Sequence, residues 1–214
     1  LQIVQTAQSR VATGAVQYIP DVLEATGQTR AITAVAETNV AALVGSTGSG
    51  AALVDTLSLA PIRAKQAVAD GATATQALQT AGLWLTATTG TILSDTARTA
   101  EALGTYTRPV SGYVRMLTPP SCGRCAVLAG KWFRKNQGFK RHPGCDCRHI
   151  PASEAVAGDL TLDLGAYFDS LDATGQAKLV GSKANAQAVL DGADPAQIVN
   201  AYRRTDGMQV AGKS

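Results

Sequence analysis

All four cysteines and both histidines of this 214-residue chain lie between Cys122 and His149, and no other feature restricts its folding so strongly. Cys122-Gly123-Arg124-Cys125 is followed, after sixteen intervening residues, by His142-Pro143-Gly144-Cys145-Asp146-Cys147-Arg148-His149. A Cys-x-x-Cys loop with glycine inside lets two thiolates face one point, and the amides of such a turn can donate to the sulfurs. The second cluster offers His142, Cys145, Cys147 and His149, with Pro143-Gly144 making the tight turn. Zinc takes four nitrogen or sulfur ligands in a tetrahedron, all from protein when its role is structural. Six candidates compete for four places; Cys122, Cys125, Cys145 and Cys147 are favoured, with His142 the first substitute for one of the last pair. Two disulfides between the clusters would use the same cysteines, but no secretion signal is visible to imply an oxidising compartment. A redox pair wants a thioredoxin-like strand-to-helix context, and four unliganded thiols complete the alternatives. The expectation is a structural Zn2+ ion.

A catalytic metal would keep an open position for water and a carboxylate base close by. No Glu lies between Glu101 and Glu154, and Cys122 follows Ser121 rather than the proline of a zinc-deaminase motif. The chain is therefore not expected to be an enzyme.

The formal charge of +3 conceals a strong segregation. Residues 1–107 carry five Lys/Arg against seven Asp/Glu, residues 108–150 nine against Asp146 alone, and residues 151–214 five against eight. The cysteines thus sit in a basic island between two mildly acidic arms, where nearby cations would offset the negative charge of a four-thiolate zinc site. Arg124, Lys131, Arg134, Lys135, Lys140, Arg141 and Arg148 interleave with Trp132, Phe133 and Phe139. That composition suits phosphate contact with stacking platforms, or an acidic protein surface. The aromatics are read first as a small core over the zinc, because so short a segment has little else to bury.

The arms read as helix, so the fold class is mainly α. Helical N-terminal (1–107) and C-terminal (154–214) regions flank a small, Pro-rich zinc-knuckle module (108–153). In the first arm, Ile3, Val4, Ala7, Val11, Ala15 and Tyr18 recur at helical steps, with Pro20 expected to kink or restart the helix. A second amphipathic stretch is predicted over Thr33–Val44, a flexible turn over Gly45–Gly50, and a helix over Ala52–Ala69 stopping at Gly71. A longer helix over Thr75–Leu103 would put Leu78, Leu83, Leu85, Ile92, Ala97 and Leu103 on or near one face. Short strands are expected within Val110–Met116 and Lys131–Phe133. Asp194-Pro195 should cap and open a late helix carrying Ile198, Val199 and Tyr202. Val68-Ala69-Asp70-Gly71-Ala72, with Gln76, is echoed by Val189-Leu190-Asp191-Gly192-Ala193, with Gln197; both read as one type of helix–Gly–helix connector. No apolar run reaches the roughly 18–20 residues of a membrane span. The chain opens on Leu1 without an initiator Met and ends on Gly212-Lys213-Ser214, so a longer natural protein is expected.

Cys122-x-x-Cys125, Leu128-Ala129-Gly130-Lys131, an aromatic pair and His142-Pro143-x-Cys145-x-Cys147 with Pro151 behind it resemble the Mu F-like minor head proteins of tailed bacteriophages. The likeness is greatest to the versions in phages of actinobacteria. The tail Ala188-Val189-Leu190-Asp191-Gly192-Ala193-Asp194-Pro195-x-Gln197-Ile198-Val199-Asn200-Ala201 is similar too. The resemblance implies a minor capsid protein inside the virion head near the portal vertex, assembled in the host cytoplasm. It further implies binding to the portal protein through the N-terminal helices, proximity to the major capsid protein and packaged double-stranded DNA, and a part in head assembly, DNA packaging or ejection. Some family members carry fused toxin or protease domains; this sequence shows no such module.

Overall fold

The computed structural model describes residues 1–117, 121–137, 147–156, 163–204 and 207–210, the last stretch from Tyr202 as backbone alone. The chain is mainly helical, with a three-stranded antiparallel sheet and a separate two-stranded one among the described residues. Its described residues form two compact units: 1–110 with 135–137, and 111–134 with those from 147 onward. The charge boundaries mark composition; compactness divides the chain along different lines.

The first unit contains α1 (Gln2–Ala25), α2 (Leu53–Leu57), α3 (Leu59–Ala69) and α4 (Ala74–Tyr106). A capping box starts α4: the Gln76 amide donates to Thr73 Oγ1 (3.3 Å) and the Thr73 amide to Gln76 Oε1 (2.9 Å). It ends just ahead of Arg108-Pro109, where proline disfavours helical geometry in the residue before it. Gln8 of α1 bonds Thr96 at 3.1 Å, and Ile19 lies against Gly104 further along; contacts advance together, so the two helices run in parallel. Fully buried Gln8 also donates to the Ser46 carbonyl (2.8 Å) and accepts from the Gly45 amide (3.0 Å). One side chain thereby ties the Gly-rich turn to both long helices. Ile19, Leu23, Ala31 and Val110 form the apolar core beside it.

Several helical expectations are corrected here. α1 does not restart at Pro20 but runs on through it; Ile19 and Leu23, buried on either side, hold the helix together despite the bond that proline removes. The 33–44 stretch is not a helix but irregular chain, with 3-10 turns at Thr29–Ala31 and Val40–Leu43. Its polar groups find partners elsewhere: the Val35 amide donates to the Thr107 carbonyl (2.8 Å), and Arg108 Nε to the Ile32 carbonyl (3.0 Å). The 52–69 helix is broken at Ser58. On α4 the buried positions are Ala77, Ala81, Ile92, Thr96, Arg98, Ala100, Glu101, Gly104 and Thr105, while Leu78, Leu83, Leu85 and Leu103 are exposed. Close packing on neighbouring helices selected mostly small residues, not the leucines.

The two Asp-Gly-Ala connectors prove alike in detail. Gly71 and Gly192 both take positive φ (95° and 103°), the left-handed geometry that ends a helix. The Ala72 and Ala193 amides reach back to the Ala67 and Ala188 carbonyls at 2.9 and 2.8 Å. Gln66 and Gln187 each donate to the aspartate four residues on.

The second unit is built on a three-stranded sheet of order β2-β1-β3, with β1 Gly112–Met116, β2 Trp132–Arg134 and β3 Arg148–Ala152. β1 and β2 fall where strands were expected. β3 was hidden by Pro151, which pairs with Tyr113 on an edge strand, the position where a missing amide hydrogen is tolerated. The unit also contains α5 (Gly123–Leu128), α6 (Leu164–Asp169), α7 (Ala173–Val180), α8 (Lys183–Leu190) and α9 (Pro195–Asn200), which pack on one another. Asp163, Asp172, Ser182 and Asp194 cap the last four. Asp194-Pro195 opens α9 as expected, but the helix ends at Asn200 and Tyr202 belongs to β4 (Ala201–Arg204), which pairs with β5 (Gly207–Val210).

Candidate metal centre

The cysteine loop is positioned by β1 and α5. Antiparallel register puts Tyr113 and Arg115 on one face of the sheet with Phe133, His149 and Pro151, and Val114 on the other with Trp132 and Ile150. Cys122 sits at the cap position of α5 and is exposed; Cys125, one turn in, is fully buried. The Cys122 thiol donates to Cys125 Sγ at 3.3 Å. Arg115 Nη2 donates to the same sulfur at 3.4 Å, from a side chain only 1% exposed. Burying a guanidinium is costly unless negative charge or acceptors meet it, and a thiolate is such a partner.

Cys147, also fully buried, immediately precedes β3 and shares one apolar cluster with Cys125. Leu117, Ala126, Phe168, Leu179 and Val180 belong to that cluster, and Ile198 and Val199 pack against it. Gly123 is required for this packing: a Cβ there would overlap the Leu179 carbonyl. The C-terminal helices are thus part of the wall behind the thiols. His149, 7% exposed, stands opposite Arg115, its ring tilted 33° against Tyr113 at 4.2 Å.

Of the proposed ligands, Cys122 and Cys125 are brought together, and Cys147 shares the apolar cluster of Cys125 alone. His142 and Cys145 lie outside the described residues, and among the described residues no group of three Cys, His, Asp or Glu is gathered as a metal cage. The Cys122–Cys125 pair fits half of a zinc site: tetrahedral coordination at about 2.3 Å separates two thiolates by about 3.8 Å, slightly wider than the spacing here.

The basic island divides sharply. Arg108 and Arg115 are buried, Arg124, Lys131, Arg134 and Arg148 are exposed, and half-buried Lys135 lies over the Tyr106 ring at 5.3 Å. Burial pulls the Arg108 guanidinium below its ordinary pKa. Lys140, Arg141 and Phe139 fall outside the described residues. Trp132 and Phe133, expected together over the zinc, part company. Phe133 stacks on Tyr113 at 5.5 Å on the Arg115 face, whereas Trp132 covers Val114 and Ala152 on the opposite face. Trp132 Nε1 donates to the Ala152 carbonyl at 3.0 Å across Gly112, where any Cβ would meet the indole ring. Composition counts Arg115 only as charge; the alternation of Tyr113, Val114 and Arg115 along a strand was the signal that it faces inward.

No family model, curated protein or solved structure matches the chain.

Proposed function

We propose that this protein is a structural, non-catalytic component of a tailed-phage head, carried inside the virion near the portal vertex. The reading rests on the order of residues in the cysteine module and in the 188–201 tail, which resemble the Mu F-like minor head proteins. The observation that supports the module's chemistry is the Cys122–Cys125 pair at 3.3 Å, backed by a buried arginine. Cys122, Cys125, Cys145 and Cys147 would hold a structural Zn2+ ion, His142 being able to replace one of the last two. Bound there, the ion would cross-link the loop after β1 to the segment before β3. The portal protein is the proposed partner of the helical N-terminal region, with the major capsid protein and packaged DNA as neighbours.

Co-expression with the cognate portal protein tests this: the chain should co-purify with portal rings, and rings that fail to retain it would refute the assignment. Metal analysis of purified protein should find about one zinc per chain, lost in Cys122→Ser. The exposed Arg124, Lys131, Arg134 and Arg148 favour a second reading, a zinc-dependent nucleic-acid-binding protein outside any virion. Gel shifts at graded salt separate the two, since the head protein should bind weakly and without sequence preference, and the regulator selectively.

A further inference from the structure

The α3–α4 hairpin has two seams side by side, and only one is filled. Toward α3, α4 presents Ala77, Ala81, Trp84 and Thr88, buried or half-buried; Ala60, Ala64 and Ala67 are the half-buried residues of α3, which has no fully buried one. One residue further round, exposed Leu78, Gly82 and Leu85, followed by half-buried Thr89, repeat the same four-three-four spacing. Leu78 is 69% exposed and Leu85 37%, with Val68 of α3 also exposed. A Cβ on Gly82 would meet nothing within 4 Å. Nothing in the fold explains a glycine there, in the middle of a helix where it weakens helical structure.

We propose that a second copy of this chain covers the open seam, hairpin against hairpin about a two-fold axis, completing a four-helix bundle. Three observations select a second copy. Residues 51–90 carry two acidic groups (Asp55, Asp70) and two basic ones (Arg63, Lys65), so identical hairpins do not repel and a charged partner meets no directing field. Gly82 lies four residues from Leu78 and three from Leu85; crossing there antiparallel brings Leu78 of each copy against Leu85 of the other, with backbones close at the glycine. The open face spans about 25 Å along α4 but only about 16 Å along α3, which has 11 residues, so its area falls in the range of weak, transient interfaces. The dimer expected is weak and concentration-dependent. None of this depends on the head-protein reading.

Sedimentation velocity on the full chain between about 1 and 100 µM should show concentration-dependent dimers. Leu78→Glu with Leu85→Glu should weaken association at least about tenfold with unchanged circular dichroism, both side chains being exposed. Leu83→Glu, on another side of α4, should leave it unchanged. Gly82→Gln should raise the melting temperature of the monomer while weakening the dimer. Wild type monomeric throughout, or Leu83→Glu as disruptive as the paired substitution, overturns the proposal.

Discussion

Arg108 shows how a charged residue can be committed to the fold rather than to the surface. Its Nε and Nη1 donate to the carbonyls of Ile32 (3.0 Å) and Gly104 (2.6 Å), pinning irregular chain to the end of α4. Arg108→Ala should lower stability by about 2 kcal/mol, the range for hydrogen bonds to charged groups; urea unfolding with an unchanged midpoint would contradict this. Gly112→Ala is a test on the other unit. A methyl group there would overlap the Phe133 carbonyl as well as the Trp132 ring, so both the β1–β2 pairing and the indole must shift; tryptophan fluorescence should change and stability fall by about 1–3 kcal/mol or more. An unaltered spectrum would show that the indole does not need the gap. Cys-x-x-Cys spacing was legible from sequence because Cys122 and Cys125, one turn apart, converge by local geometry alone. The roles of Arg115 and Trp132 were not, since they depend on strand pairings between residues far apart in the chain.

At the scale of elements, local chemistry was readable wherever it was strong. Gly71 and Asp194-Pro195 mark helix ends through backbone geometry and capping that no tertiary contact needs to supply. Periodicity misled where packing decided the outcome. The leucines of α4 suggested a buried face, but close helix contact took the alanines and left the leucines outside; the 33–44 stretch lost its helix to partners at Thr107 and Arg108. Pro20 is the clearest conflict between local preference and packing. Its ring removes the amide that would bond the Val16 carbonyl, yet α1 continues through it. Pro20→Ala should therefore stabilise the protein by about 1 kcal/mol or more, raising the melting temperature; a decrease would show that the proline ring itself helps to seat Ile19 and Leu23.

For the whole molecule, the shared core of the second unit changes what the metal would control. Read from charge alone, the zinc module is an island of about forty-five residues that could melt while both arms stay helical. Cys125 and Cys147 instead lie in one apolar cluster with Phe168, Leu179, Val180 and Ala186, and Gly123 touches the end of α7. Loosening the cysteine loop must therefore expose the inner faces of α6–α9. The first unit keeps its own core around Ile19, Leu23 and Val110, with Gln8 tying its turn and helices. Replacing Cys125 with Ser, or chelation of the proposed zinc ion, should raise amide exchange together across 111–134, β3 and 163–200, while α1 and the second half of α4 stay protected. Circular dichroism should lose the part of the helical signal that α6–α9 contribute, not all of it. Exchange confined to the cysteine loop would mean that Phe168 and Leu179 hold the cluster without it, and loss of protection throughout α1 would mean that the two cores do not fold separately.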